Sequence, residues 1–147
     1  MALVIDASVG LKWVLAEPDS AVAQALAASD EELVAPDFWL NEACNVLWLQ
    51  VRRNVLTPAE AQEGLMLLRA QVQPTPTAGL GLQDAALEIA LAAGHSPYDT
   101  LYVAFAIAMG AEKLVVADRK FAMAMRGHSD PAVSGLLMLL DEWGAGI

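Results

Sequence analysis

The segment from residue 96 to residue 118 constrains the fold most, because it predicts a buried helix, a short turn and a buried strand. Ser96 is a favourable N-cap, and Pro97 suits the first position of a helix. Residues 101–109 are apolar on nearly every face, so this helix is predicted to be buried. Residues 113–117 form a short apolar run rich in β-branched side chains, which is typical of a central strand covered on both faces.

Two acidic residues lie at the ends of this helix–strand unit. Asp99 is in the first turn of the predicted helix, and Asp118 follows the predicted strand. A charged group beside so much apolar surface is costly unless another group compensates it. A bound metal ion would compensate both carboxylates.

The same alternation of short apolar runs and helical segments continues along the chain. Residues 3–5, 33–35 and 71–77 predict three other strands, the last of them an edge strand because it contains prolines. Residues 132–140 predict a final strand or a strand followed by a helix, and residues 144–147 are expected to fray. Helices are predicted at residues 7–16, 18–28, 37–53, 57–70, 83–93 and 119–126.

This alternation predicts an α/β protein with three layers, in which helices cover both faces of a central parallel sheet. The expected strand order is 3-2-1-4-5. The chain of 147 residues fits one domain that spans residues 1–147. The hydrophobic fraction of 56% and the mean hydropathy of +0.44 are high for a soluble monomer, which suggests an oligomer face or a groove for a partner.

Composition also limits the functional classes. The uncharged stretch 100–111 is too short to span a bilayer, and the N-terminus has no basic start typical of a signal peptide. The single Cys44 excludes an internal disulfide and favours a reducing cytoplasm. The net charge of -10 argues against a general nucleic-acid coat, but it is compatible with a nuclease whose site is itself acidic.

The predicted topology brings several acidic residues to one edge of the sheet. Asp6 follows the first strand and Asp118 follows the fourth, and these strands are neighbours at the point where strand order reverses. Asp99 begins the helix that leads into the fourth strand, at the same edge. Each of the three also has a local interpretation as a helix-capping residue. Glu42 lies inside a helix, where a solvent-facing position is the simpler interpretation, but a shared crevice makes it a candidate fourth member.

Clustered carboxylates repel one another, and Mg²⁺ or Mn²⁺ would explain why they coexist. Such hard ions prefer oxygen ligands, and a water activated by the metal can attack phosphorus. The sequence contains no glycine-rich phosphate loop and no cysteine–histidine zinc pattern. A pair formed by His95 and His128, acting as acid and base in metal-free RNA cleavage, is a weaker alternative.

Four short motifs, in this order along nearly the whole chain, resemble those of PIN-domain ribonucleases, in particular the toxin half of VapBC-type toxin–antitoxin modules. The resemblance implies an α/β/α domain, an endoribonuclease dependent on Mg²⁺ or Mn²⁺, a homodimer and a small inhibitory antitoxin. The sequence departs from the family pattern at Val116, where Ser or Thr is common. The motifs are Val4-Ile-Asp6-Ala-Ser8, Glu42 with Asn45, Tyr98-Asp99-Thr100-Leu-Tyr and Ala117-Asp118-Arg-Lys-Phe121.

Residue roles follow from this resemblance as a hypothesis. Asp6 and Asp99 hold the metal, Asp118 binds it directly or through water, and Glu42 orients or deprotonates the attacking water. Ser8, Asn45 and Thr100 are expected to support the site. The expected RNA contacts are Lys12, Arg52, Arg53, Arg119 and Lys120, although the dipole of the preceding helix already explains Arg52 and Arg53.

Other functions remain open on the sequence alone. The chain could be a degenerate PIN scaffold that binds a partner without catalysis, or a PIN nuclease of RNA maturation. A nuclease acting on DNA flaps is disfavoured by the short chain. A phosphoacceptor receiver domain is also disfavoured, because its paired acids and late lysine do not occur at the required places.

Overall fold

Five parallel strands form the centre of the protein in a computed structural model that describes residues 2–147. The sheet has the order β3-β2-β1-β4-β5, and every neighbouring pair is parallel. This arrangement confirms the predicted class and strand order. The strands are β1 (Ala2–Ile5), β2 (Glu32–Pro36), β3 (Pro74–Thr75), β4 (Lys113–Val116) and β5 (Leu137–Leu139).

Helices connect the strands and pack against the sheet. The two central strands are buried along most of their length, since Leu3, Val4 and Ile5 of β1 and residues 114–116 of β4 all belong to the core. Among residues 2–147, no helix has both the length and the apolar character that crossing a bilayer requires. The helices are α1 (Ala7–Gly10), α2 (Ser20–Ala27), α3 (Phe38–Arg52), α4 (Pro58–Gln71), α5 (Leu82–Ala93), α6 (Pro97–Ala108), α7 (Arg119–Arg126), α8 (Pro131–Ser134) and α9 (Leu140–Ala145), with a 3₁₀ turn at Leu11–Trp13.

The predicted first helix, residues 7–16, is shorter in the structure. It ends at Gly10 and tightens into the 3₁₀ turn. Gly10 lies directly against the indole of Trp39, a fully buried residue of α3. A side chain on residue 10 would collide with that ring, so glycine is required for the close contact although it is a poor helix former.

The predicted third strand was also too long. Helix α4 continues to Gln71, and only Pro74–Thr75 pair with β2 at the sheet edge. The prolines at 74 and 76 have no backbone N–H to donate, so a longer ladder cannot form there.

The C-terminal region is more ordered than predicted. Residues 132–140 divide into α8, β5 and the start of α9, and α9 continues to Ala145. The indole of Trp143 is buried, and the backbone of Gly144 packs against Val22 of α2. The expected fraying of residues 144–147 is therefore wrong for the first two of them. Helix α6 is less buried than predicted, because Ile107 in its last turn and Met109 directly after it are exposed.

The contact between Gly10 and Trp39 predicts the effect of Gly10→Ala. The added Cβ would lie 2.3 Å from Cζ3 of Trp39, and such overpacking is expected to lower the free energy of unfolding by about 1–3 kcal/mol. Gly64→Ala in α4 is the matched control, because its Cβ would meet Leu47 at an ordinary 3.5 Å. The control is expected to be neutral or stabilising by up to about 1 kcal/mol. Urea unfolding of both variants measures the difference, and equal stabilities would contradict this packing argument.

Candidate active site

The ends of β1 and β4 form one side of the candidate site. Ile5 pairs with Val115 in the parallel register, so both strands end at the same edge of the sheet. The Ser8 hydroxyl donates to Oδ1 of Asp6 at 2.6 Å and accepts a hydrogen bond from the N–H of Ala117 at 3.4 Å. Ser8 thus joins the end of β1 to the end of β4.

Asp6 and Asp118 are both helix caps, as their positions predicted. The N–H of Val9 donates to Oδ1 of Asp6 at 3.2 Å, and the N–H of Phe121 donates to Oδ1 of Asp118 at 3.2 Å. In α6 the capping role belongs to Ser96 instead. The Asp99 carboxylate lies in the first turn of that helix, 4.0 Å from Nδ1 of His95.

Glu42 reaches the same region from α3. Its Oε2 accepts a hydrogen bond from the hydroxyl of Tyr102 at 3.1 Å. Tyr102 is buried, and its ring packs edge-to-face against Phe38 at 5.1 Å. Glu42 is therefore half-buried and hydrogen-bonded, rather than part of the solvent-facing stripe that its position alone favoured.

The four carboxylates surround one cavity of about 260 Å³. They come from four separate places in the chain, namely the ends of β1 and β4 and the helices α3 and α6. Among residues 2–147, no lysine or arginine lines this cavity. The lining residues are Asp6, Ser8, Leu11, Glu42, Val46, Asp99, Asp118 and Phe121. We call this space the acidic cavity.

Burial and mutual repulsion raise the pKa values of Asp6, Glu42 and Asp99. Burial raises the pKa of Asp6 to about 7, against the lowering effect of hydrogen bonds from Ser8 and Val9, and the charges of Glu42 and Asp99 add to the increase. Burial also raises the pKa of Glu42, which the Tyr102 hydroxyl partly offsets.

The pKa values of Asp99 and Tyr102 also depend on burial and on neighbouring charges. The pKa of Asp99 is raised by burial and by the charge of Asp118, and lowered by His95. The pKa of Tyr102 is raised by burial and by the neighbouring charges of Glu42 and Asp6, so its hydroxyl stays protonated and remains a donor.

The donor set of the acidic cavity fits a hard divalent cation. Carboxylate oxygens are the ligands that Mg²⁺ and Mn²⁺ prefer. Within residues 2–147, no three side chains of the Asp, Glu, His or Cys type are grouped closely enough to hold one ion together. Mg²⁺ usually retains several waters and binds one or two carboxylates directly, so a cavity lined by separated carboxylates suits it in chemical type.

Comparison with known proteins identifies the family. The sequence matches the family model of the PIN domain over residues 3–125. The chain belongs to the PIN domain family. PIN domains are nucleases, and in general they are metal-dependent hydrolases.

Two solved structures have the same fold as this PIN domain. PAE2754 from Pyrobaculum aerophilum is 20% identical, with a TM-score of 0.72, and the match covers 99% of this chain and 88% of that one. A chain of VapBC2 from Rickettsia felis, in a structure with a DNA fragment from the promoter, is 13% identical, with a TM-score of 0.66 and coverage of 95% and 98%. No curated protein matches the sequence significantly.

Two of the predicted supporting residues lie outside the acidic cavity of this PIN domain. Asn45 is exposed on α3 and does not line the cavity. Thr100 is fully buried, and its hydroxyl donates to the carbonyl of Ala86 at 2.6 Å, so it joins α6 to α5. The side chain of Val116 is buried in the core, and the hydroxyl beside the end of β4 comes from Ser8.

None of the predicted RNA-binding cations lines the acidic cavity. Lys12 lines a larger neighbouring cavity of about 780 Å³ and pairs with Glu17 at 3.5 Å. Arg119 pairs with Asp141 at 2.6 Å. Arg52, Arg53 and Lys120 are exposed. The guanidinium of Arg52 lies over the ring of Trp48.

Sequence reasoning missed the part that Tyr102 and His95 take in the site. Tyr102 stands three residues after Asp99, so helical spacing places both on one face of α6 and could have identified it. His95 lies beside Asp99 and packs edge-to-face with Phe121 at 5.4 Å. His128 lines a different cavity, which does not include His95, so the histidine pair considered for metal-free cleavage does not share a site.

The raised pKa of Asp6 predicts how the metal-free protein responds to pH. The carboxyl stays neutral in the folded state up to about pH 7 but ionises near 3.8 when unfolded, so unfolding releases a proton between these values. Stability should therefore fall as pH rises from about 4 to 7, and Asp6→Asn should remove a component of roughly 1–4 kcal/mol. Asn retains the capping ability of Asp. Urea unfolding in EDTA across this range measures the difference.

The control for this experiment is Asp84→Asn, at the exposed start of α5. Its stability should follow the wild-type pH dependence. Parallel curves for Asp6→Asn and the wild type would show that Asp6 does not carry the shift.

Proposed function

We propose that this protein is a divalent-metal-dependent endoribonuclease that acts as the toxin of a type II toxin–antitoxin module. The observation that carries the proposal is the group of four carboxylates around one small cavity whose described lining contains neither lysine nor arginine. Membership of a nuclease family supports the hydrolytic activity, and the shared fold with a chain of VapBC2 supports the toxin role.

In this proposal, the acids at the sheet edge hold Mg²⁺ or Mn²⁺. Asp6 and Asp99 are the direct ligands, and Asp118 binds directly or through water. A bound divalent ion supplies neutralisation of phosphate charge and a more acidic water. Ser8 orients Asp6, because its hydroxyl donates to Oδ1 and leaves Oδ2 available for the ion.

Glu42 is the proposed base. The Tyr102 hydroxyl occupies Oε2 and fixes the orientation of the carboxylate, so Oε1 can accept a proton from the attacking water. Burial raises the pKa of Glu42, which makes it a stronger base than an exposed carboxylate. The water oxygen bonds to phosphorus while the bond from phosphorus to the 3′ oxygen breaks. The products then carry a 5′-phosphate and a 3′-hydroxyl.

A protein partner and a second copy of the chain complete the proposal. Large apolar side chains are exposed on several helices, including Trp48 on α3, Met66 on α4 and Leu91 on α5. A contiguous patch of exposed apolar side chains marks a site of association. A small antitoxin and a homodimer contact would cover such surface, and the exposed free thiol of Cys44 fits a reducing cytoplasm.

One observation favours a second candidate, a PIN scaffold that binds a partner without catalysis. Val116 occupies the position two residues before Asp118, where the family often has Ser or Thr, and its side chain is buried in the core. A degenerate member would keep the fold and the acidic cavity but lack turnover. Activity measurements on purified, antitoxin-free protein separate the two candidates.

Glu42→Gln tests the proposed base. Gln retains the side-chain length and nearly the same helix propensity, and it can still accept the hydrogen bond from Tyr102. The ribonuclease rate should fall by about 100-fold or more, while the melting temperature stays equal or rises slightly because repulsion in the cavity decreases. Glu63→Gln, on the exposed face of α4, is the control and should retain the wild-type rate. A folded Glu42→Gln with the wild-type rate would remove Glu42 from the site.

The chemistry of the RNA ends tests the hydrolytic step. Attack by water gives 5′-phosphate ends, whereas attack by the RNA 2′-hydroxyl gives a cyclic phosphate. End-labelling of the fragments should detect 5′-phosphates, and EDTA should abolish cleavage until Mg²⁺ or Mn²⁺ is restored. Cyclic phosphate ends, or full activity in EDTA, would overturn the mechanism.

A further inference from the structure

A second cavity, of about 600 Å³, borders the acidic cavity. Glu42 lines both cavities, so any ligand in the second one lies next to the carboxylates. Pockets of roughly 300–1,000 Å³ hold ligands of nucleoside size or larger. The second cavity therefore has the position and the size to hold a group attached to whatever occupies the acidic cavity.

The walls of this cavity present aromatic rings. Phe38 and Tyr102 form a rigid edge-to-face pair, in which the ring planes meet at 75° and Tyr102 is buried. Tyr98 lies at the edge of the cavity and is 78% exposed. An exposed tyrosine ring beside a cavity offers a stacking surface for a flat ligand, and single-stranded RNA is commonly recognised by bases stacked on such rings.

The polar groups of the cavity suit the edge of a base. The hydroxyl of Thr77 already donates to Asp37 at 2.7 Å. Exposed Asn41 and Gln83 are the amide side chains of the lining. An amide both donates and accepts hydrogen bonds, which matches the mixed donor and acceptor edge of a nucleobase.

The charge of the cavity excludes a phosphate as its ligand. Glu42 is the one charged residue among those that line it, and neither lysine nor arginine is present. A phosphate there would face a carboxylate with no cation to offset the repulsion. A neutral, flat and hydrogen-bonding group is the ligand that such a lining favours.

We propose that this cavity, the base pocket, binds one nucleobase of single-stranded RNA beside the bond that is cut, and so selects the cleavage position. The base stacks on Tyr98, and its edge contacts Asn41 or Gln83. The proposal rests on the ribonuclease function proposed above, but binding of RNA to the pocket can be measured without cleavage.

The test uses short single-stranded RNAs that contain a mapped wild-type cleavage site. In each RNA, one nucleotide beside that site is replaced by an abasic one. For the nucleotide that enters the base pocket, removal of the base should lower kcat/KM of the wild type by between about 5-fold and about 150-fold, the range expected for one stacked base. Tyr98→Ala should lower kcat/KM on the intact RNA by a similar factor. The kcat/KM of this variant should be nearly the same on the intact and the abasic RNA.

Three variants sharpen this experiment. Tyr98→Phe keeps the ring and should retain most of the base dependence. Asn41→Ala, at another part of the wall, should alter the preference among the four bases at that position. Gln62→Ala is the control, because it removes an exposed, uncharged side chain of α4 that does not line the pocket, and it should behave as wild type.

Failure of the base pocket can be distinguished from failure of the ribonuclease function. If the wild type does not cleave RNA, fluorescence anisotropy can still measure the binding of intact and abasic RNA. The proposal then requires that the wild type binds the intact RNA more tightly than the abasic RNA, and that Tyr98→Ala removes this difference. Equal losses for the abasic RNA in wild type and Tyr98→Ala would overturn the proposal. It would also be overturned if Tyr98→Ala left RNA cleavage and binding unchanged but weakened binding of a protein partner, since the pocket would then hold a protein side chain.

Discussion

Parallel pairing of β1 with β4 is the interaction on which the candidate site depends. The two strands lie at the centre of the sheet and are buried on both faces, so a shift of register by one residue would exchange the faces and disrupt the packing of their side chains. The burial of these side chains therefore fixes where each strand ends. Asp6 and Asp118 follow those ends directly, and Ser8 links them through Asp6 and the N–H of Ala117.

Capping and metal binding are compatible roles for the same carboxylate. Asp6 and Asp118 each use one oxygen to accept a backbone N–H, and a carboxylate has about four acceptor positions. A cap contributes about 1 kcal/mol to stability. Burial and repulsion act in the opposite direction, as the pKa of about 7 for Asp6 shows. The helix starts thus hold the carboxylates in an arrangement that their charges alone would disfavour.

Local patterns in the sequence predicted most of the strands and the helix starts where the acids lie, because short buried strands and helix caps leave clear local signals. The strand order was expected from the topology of parallel α/β sheets. Contacts between distant segments were not predictable in this way. Trp39 packs against Gly10, where the first helix ends, and Val22 packs against Gly144 near the C-terminus. The orientation of Glu42 depends on Tyr102, sixty positions later in the chain. No periodicity in α3 contains that information.

The positions of the three cavities suggest how an acidic protein could bind RNA under the proposed function. With a net charge of -10, the whole protein repels a polyanion, so long-range attraction cannot supply much of the affinity. The acidic cavity shares Glu42 with the base pocket, and it shares Asp118 with the larger cavity that contains Lys12. Affinity would then come from base stacking in the base pocket and a bound cation in the acidic cavity. Binding of this kind should depend less on salt than binding through many phosphate contacts, because it releases few counterions.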